Sequence, residues 1–287
     1  MFALFKREFR SYFQTPIGYI FLSLFLLISG ILFSLGTLFS LSPNYAPFLS
    51  SILFIFLLAM PVLTMRLITD DIRLRTDQLL LTSPIRITNI VVGKYLAAVS
   101  IFLITLVVTA LYPIVMSFYG DIDGWETVGS YIGFLLLGCS FISIGLFISA
   151  TTENQVVAAI VTFVALLVSW IMDFVQQGIP TDPVTSLVFV CVVIAGIAFW
   201  LYMSTRNLLM PLVLGLLGIA AALIVYFVDA ASYIAFISKI LEWLSLVKRY
   251  DSFPRGLLAF DAVVYYISIS LFFIFLTVRL IEKKRWS

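Results

Sequence analysis

The sequence predicts an all-α polytopic membrane protein, and three observations carry that reading. Hydrophobic residues make up 62% of the 287-residue chain and charged residues 11%, less than half of the roughly 25% that clothes a soluble domain. The apolar residues run on unbroken rather than alternating with polar ones, in stretches near the ~20 residues that cross a bilayer as helix. The basic residues are strongly biased in where they fall, as a multi-pass topology requires.

Taken in order, residues 1–14 come first and are amphipathic. At about 100° per residue, Phe2, Phe5, Phe9, Tyr12 and Phe13 share one arc, while Lys6, Arg7, Glu8, Arg10 and Ser11 lie off it and Leu4 is the exception. This predicts a helix in the cytoplasmic interface, aromatic face down and basic face toward lipid head groups. Eight apolar runs follow, at 17–39, 47–65, 90–118, 128–150, 156–174, 184–203, 208–228 and 262–278. Pro211 interrupts the seventh near its start, so the sixth and seventh read either as two spans or as a re-entrant hairpin. The first run is longer than the apolar core of a secretory signal, and no A-x-A-like site follows it, so it is expected to remain as a span.

With eight spans, thirteen of the 17 basic residues fall on one side, from Lys6, Arg7 and Arg10 through Arg66, Arg73, Arg75, Arg86, Lys94 and Arg206 to Arg279, Lys283, Lys284 and Arg285. Only Lys239, Lys248, Arg249 and Arg255 fall on the other. The positive-inside rule then places both termini in the cytoplasm, in a plasma membrane.

Between the second and third spans lies RLITDDIRLRTDQLLLTSP at 66–84, the longest cytoplasmic connection. Thr69 or Asp70 is expected to cap a short helix there. Ser83 and Pro84 are expected to cap and open the next one. The leucines at 79–81 argue against disorder, because exposed they would form an apolar patch that calls for a cover. On the outer side, 229–261 shows helical periodicity through Ile234, Ile237, Leu241 and Leu244 and is broken at Pro254, which predicts short amphipathic helices dipping into the outer interface. Asp121, Asp123 and Glu126 read as a hydrated turn, and Gly178, Pro180 and Pro183 mark another.

Absences narrow the class. No Asp, Glu, Lys or Arg lies centrally in any span, which argues against a proton-driven carrier and against an intramembrane metalloprotease. Histidine is absent, and Cys139 and Cys191 lie inside apolar runs, where they read as packing residues. A net charge of +2 does not call for nucleic acid. Ser140, Ser143, Thr162 and Ser169 read as helix-packing hydroxyls. There is no G-x-x-x-x-G-K-[ST], so energy for any work has to come from another subunit. By residue chemistry alone, the chain is a membrane subunit of a larger machine, or else a membrane scaffold or signalling subunit that docks a partner without transporting. An ion-coupled carrier ranks behind both.

Three stretches, KREFRSYFQTPIGYI at 6–20, DDIRLRTDQLLLTSPI at 70–85 and YDSFPRGLLAFDAVVYY at 250–266, resemble the permease subunit of ABC-2 type transporters. Within those, they are similar to the gliding-motility-associated permeases, with the nitrous-oxide-reductase-maturation permease as a cousin. The resemblance implies a single transmembrane domain over 1–287, with a six-span core and a two-span insertion at 184–228. It implies a connecting helix at 1–14 (Phe5, Lys6, Arg7, Phe9, Arg10). It implies a coupling segment at 69–84 that fits a cleft of a nucleotide-binding subunit, through Asp70, Asp71, Arg73, Arg75, Asp77, Gln78, Leu79, Leu80, Leu81, Thr82 and Ser83. Extracellular re-entrant helices at 230–260 would gate the exit, with Tyr250, Phe253, Arg255 and Gly256. The chain itself is expected not to be an enzyme and to hold no cofactor; ATP and Mg would sit in the partner ATPase. A second copy or a related permease, the lipid bilayer and an accessory subunit with an extracellular domain complete the expected partners. Uncharged spans fit a lipid-like or apolar cargo and equally a large closed dimer interface.

Overall fold

In the computed structural model the described residues are 2–39, 46–76, 86–118, 123–178, 183–205, 209–228, 245–257 and 259–286. Among them there is helix and no strand. Six helical stretches are long and apolar enough to cross a membrane: Pro16–Thr37, Phe48–Arg73, Ile87–Ser117, Gly124–Ser149, Gln155–Met172 and Phe260–Lys284. The chain divides into two compact units, Met1–Val168 with Arg249–Ser287, and Ser169–Lys248.

In the first unit, α1 (Phe2–Gln14) is followed at once by α2 (Pro16–Phe33). Thr15 is extended and Pro16 occupies the first helical position, where its fixed φ is suited and its missing N–H costs nothing. A π-helical turn, Ser34–Leu38, ends this span. Next come α3 (Ala46–Thr64), the short α4 (Thr69–Arg73) and α5 (Ile87–Thr109). Arg86, extended at ψ 135, is the N-cap of α5, which begins at Ile87; the expected start at Ser83 and Pro84 lies outside the described residues. The expected third span stays one stretch, Ile87–Ser117, with a turn at Ala110 between α5 and α6 (Leu111–Ser117). Pro113 has no N–H for the Thr109 carbonyl and its ring crowds that turn.

Helix α7 (Gly124–Ser149) starts at Asp123, whose Oδ1 accepts from the backbone N–H of Trp125 at 3.0 Å and Glu126 at 3.4 Å. One of the three acids of the expected hydrated turn is therefore a helix cap. Then α8 (Gln155–Gly178) begins in this unit, and α11 (Phe260–Trp286) closes the chain.

Helices α3 and α7 form the centre, with 67% and 72% of their apolar windows buried, against 22–33% for the other spans. Helix α7 packs on α3, α5 and α11. In lipid, apolar burial does not drive helices together, so close packing and interhelical hydrogen bonds must. Both are present. Phe25, Phe56, Phe102, Phe134 and Phe141 interlock at 4.3–6.3 Å between centroids. A side chain at Gly138 would collide with Phe102, and one at Gly145 with Thr64, so both glycines let α7 press against α5 and α3. Ser140 donates to the Tyr266 carbonyl at 3.1 Å and Tyr95 to that of Cys139 at 3.2 Å.

In the second unit, α9 (Pro183–Thr205) and α10 (Leu209–Val228) cover the expected sixth and seventh runs and pack on each other. Gly218 faces Ile194 and Gly215 faces Ala198, each leaving room for a close helix pair. The expected amphipathic helix over 230–244 lies outside the described residues.

Candidate functional site

The residues singled out by sequence at 1–14 and 66–76 converge on the base of the 66–84 segment. Helix α4 is only five residues long, and its neighbours hold it rather than its own propensity. The expected cap does not form: Ile68 is the N-cap residue, with no side-chain cap bond. Thr69 is the first helical residue, and its hydroxyl donates to the Ser149 carbonyl at the end of α7, at 2.8 Å. Asp70 is taken by other partners. Arg66 Nε reaches its Oδ2 at 2.5 Å, and Gln155, at the start of α8, donates to its Oδ1. The helix closes with Thr76 N–H on the Asp71 carbonyl at 2.9 Å and Arg75 N–H on that of Ile72 at 3.1 Å. This is a Schellman closure with Arg75 in the left-handed region, φ 56.

Asp71 makes the third tie. Lys94 of α5 places its Nζ 2.8 Å from Asp71 Oδ2 and 3.2 Å from Glu8 Oε2 of α1, with its side chain 4% exposed. One buried ammonium thus joins α1, α4 and α5. Glu8 is also met by Arg7 at 2.8 Å. The face of α1 turned to the protein is Leu4, Glu8 and Tyr12. Leu4 contacts the Cβ position of Gly93 at 3.3 Å, and the Tyr12 hydroxyl donates to the Leu63 carbonyl at 2.9 Å. Leu4, the exception in the sequence pattern, is therefore buried, and Tyr12 leaves the aromatic arc for the protein side. Burial, and next the charge of Glu8, push the Tyr12 phenol well above the ordinary tyrosine range.

The remaining aromatics, Phe2, Phe5, Phe9 and Phe13, form a ladder with centroids 5.3–6.2 Å apart along the opposite flank. Lys6, Arg7 and Arg10 are exposed, and Phe5 and Phe9 half-buried. A polar cleft of about 500 Å³ opens between α1 and α4, lined by Glu8, Ser11, Arg66, Asp71, Thr76 and Lys94 among others. Arg73, Leu74 and Arg75 are exposed beside it. Asp77, Gln78, Leu79, Leu80, Leu81, Thr82 and Ser83 lie outside the described residues.

At the other end of α7, Lys248–Arg255 forms a 3-10 helix. Tyr250 and Phe253 are fully buried and Arg255 is exposed. Phe253 fills the space over Gly133 of α7: a Cβ there would lie 2.5 Å from Phe253 Cγ. Gly256, φ 71, turns the chain, and its carbonyl accepts from the Trp125 indole N–H at 3.0 Å. Arg249 lies 3.6 Å from Asp261 and 4.1 Å above the Tyr265 ring. Burial pushes the Tyr250 phenol up.

Sequence reasoning did not name Glu8, Lys94, Gln155 or Trp125 as partners of these segments. Lys94 did carry a signal. A lone lysine in the apolar run IVVGKYLAAV is costly to bury unless paired, and Glu8, Asp70, Asp71 and Asp77 of the neighbouring segments were candidate partners.

The model of the family described as ABC-2 family transporter protein matches residues 3–207. Neither the curated proteins nor the solved structures contain a match.

Proposed function

Because the chain belongs to the ABC-2 family of transporter proteins, we propose that it moves its cargo outward, driven by ATP hydrolysed in a separate subunit. At the level the family fixes, the chain is a multi-pass membrane permease of an ABC transporter, with a nucleotide-binding partner. The finer reading is that ATP and Mg are held by that partner, that this chain performs no catalysis, and that both termini and the 69–84 segment face the cytoplasm of a plasma-membrane transporter. Within the family, the 6–20, 70–85 and 250–266 stretches favour the gliding-motility-like branch. Two permeases, identical or related, would share two ATPases, with an accessory subunit carrying an extracellular domain.

The observation that supports this best is the way the base of the 69–84 segment is tied down. A lever transmits force only if its root is rigid, and here Thr69, Asp70 and Asp71 are each fastened to a different helix: α7, α8 and α5. ATP-driven closure of the partner would push on the segment, and the spans would follow between inward and outward arrangements. The 249–257 turn would lie at the exit.

Leu80→Asp or Asp77→Ala should weaken substrate-stimulated ATP hydrolysis of the purified complex while leaving membrane insertion intact. Unchanged stimulated hydrolysis in both variants would remove the coupling role. A chain that purifies stably with no ATPase would return the scaffold reading.

A further inference from the structure

Helix α7 is fastened at both ends by elements far apart in sequence. At its cytoplasmic end the Ser149 carbonyl accepts from Thr69 at 2.8 Å and the Ala150 carbonyl from Lys284 Nζ at 2.9 Å. These are orphan carbonyls at a helix C-terminus, where a cation and a hydroxyl donor are both stabilising. At its outer end Trp125 holds the Gly256 carbonyl, Gly129 lies 3.1 Å below the Phe253 carbonyl, measured from its Cβ position, and Gly133 takes the Phe253 ring. Between the ends, Gly138 and Gly145 are keyed against Phe102 and Thr64. A helix of 26 residues rises about 39 Å, enough to cross the bilayer. It contains no proline, and Gly133, Gly138 and Gly145 are each filled against a neighbouring side chain, which opposes bending there.

We infer that α7 carries the outer 249–257 turn and the root of the coupling segment as one body, with Thr69 and Gly133 as positioning residues at its two ends. The outer turn then does not swing as an independently hinged gate; it moves when Thr69 moves. The Gly133 and Gly129 contacts leave no slack for Phe253 to shift along α7, and the buried Thr69 hydroxyl leaves none at Ser149. For transport this rests on reading 69–84 as the coupling segment, but the mechanical link stands apart from that reading and is tested without ATP.

The experiment is amide hydrogen exchange on the purified full chain in lipid nanodiscs. Thr69→Val removes the donor to Ser149 and should raise exchange of the 249–257 turn severalfold, with α2 unchanged. Gly133→Ala should raise exchange at 69–76 in return, since coupling between two sites is reciprocal. Thr69→Ser, which keeps the hydroxyl, should restore wild-type exchange at the outer turn. Tyr12→Phe removes a buried hydrogen bond of the same kind that ends on α3, and should leave the outer turn unchanged. Exchange that rises only near each substitution would overturn the inference. So would a rise spread equally over all helices in both Thr69→Val and Tyr12→Phe.

Discussion

Lys94→Met tests whether the three-way ion cluster holds α1 and α4 together on α5. The substitution keeps the length of the side chain and removes the charge. Glu8 and Asp71 are then left facing each other without their shared cation, at 16% and 17% side-chain exposure. Breaking a buried pair from one side costs about 3–5 kcal/mol, because the partner charge stays behind uncompensated. Here both carboxylates keep some water, and Glu8 keeps Arg7, so the lower end, about 3 kcal/mol, is expected. At about 1.4 kcal/mol per tenfold, local opening of α1 and α4 should become roughly a hundredfold more frequent. Amide exchange over residues 2–14 and 69–76 reads this directly. The triple variant Glu8→Gln, Asp71→Asn, Lys94→Met should recover much of the loss, since no bare charge remains. Exchange in α1 and α4 that is unchanged by Lys94→Met, or a triple variant worse than the single one, would refute the reasoning.

Three further outcomes follow from the same geometry. Gly133→Ala drives a methyl into the Phe253 ring and should cost about 1–3 kcal/mol in the outer turn; adding Phe253→Ala should relieve part of it, and a double-mutant cycle on thermal unfolding that shows simple additivity would contradict the contact. Arg75→Gly removes a left-handed non-glycine residue and should stabilise the end of α4 by about 1 kcal/mol, read as slower exchange at the Thr76 amide. The fold raises Tyr12, by burial and then by Glu8, so the neutral phenol is favoured. Its contribution is full below the ordinary tyrosine value of about 10 and is lost as pH rises through the folded value. Docking of α1 should therefore loosen in strong alkali, and Tyr12→Phe should flatten that limb.

Much of the fold was legible because lipid forces a simple pattern: backbone groups must pair within the segment, so every long apolar run is a helix. The amphipathic 1–14 helix was readable for the same local reason, whereas the turn at Thr15 and Pro16 came only with the structure. The errors arose where a tertiary partner outbid a local rule. Thr69 and Asp70 are good caps in isolation, but Ser149, Arg66 and Gln155 engage them instead. Tyr12 stands at the edge of the aromatic arc beside Glu8, and its hydroxyl is buried on the Leu63 carbonyl rather than facing lipid. The turn at Ala110 inside the third span follows from Pro113, a local signal hidden by a run that stays apolar across it. At the site, the segments were readable and their fasteners were not, since Glu8, Asp71 and Lys94 lie on three elements whose meeting no spacing rule encodes.

The central claim is that this permease is driven by a nucleotide-binding subunit gripping the 69–84 segment. A photo-reactive amino acid placed at position 80, and in a separate chain at position 257, tests it in native membranes. The account predicts an ATP-hydrolysing, P-loop-containing adduct from position 80 and none from position 257. Adducts from position 80 that contain no nucleotide-binding protein, or the ATPase captured from position 257 instead, would contradict it.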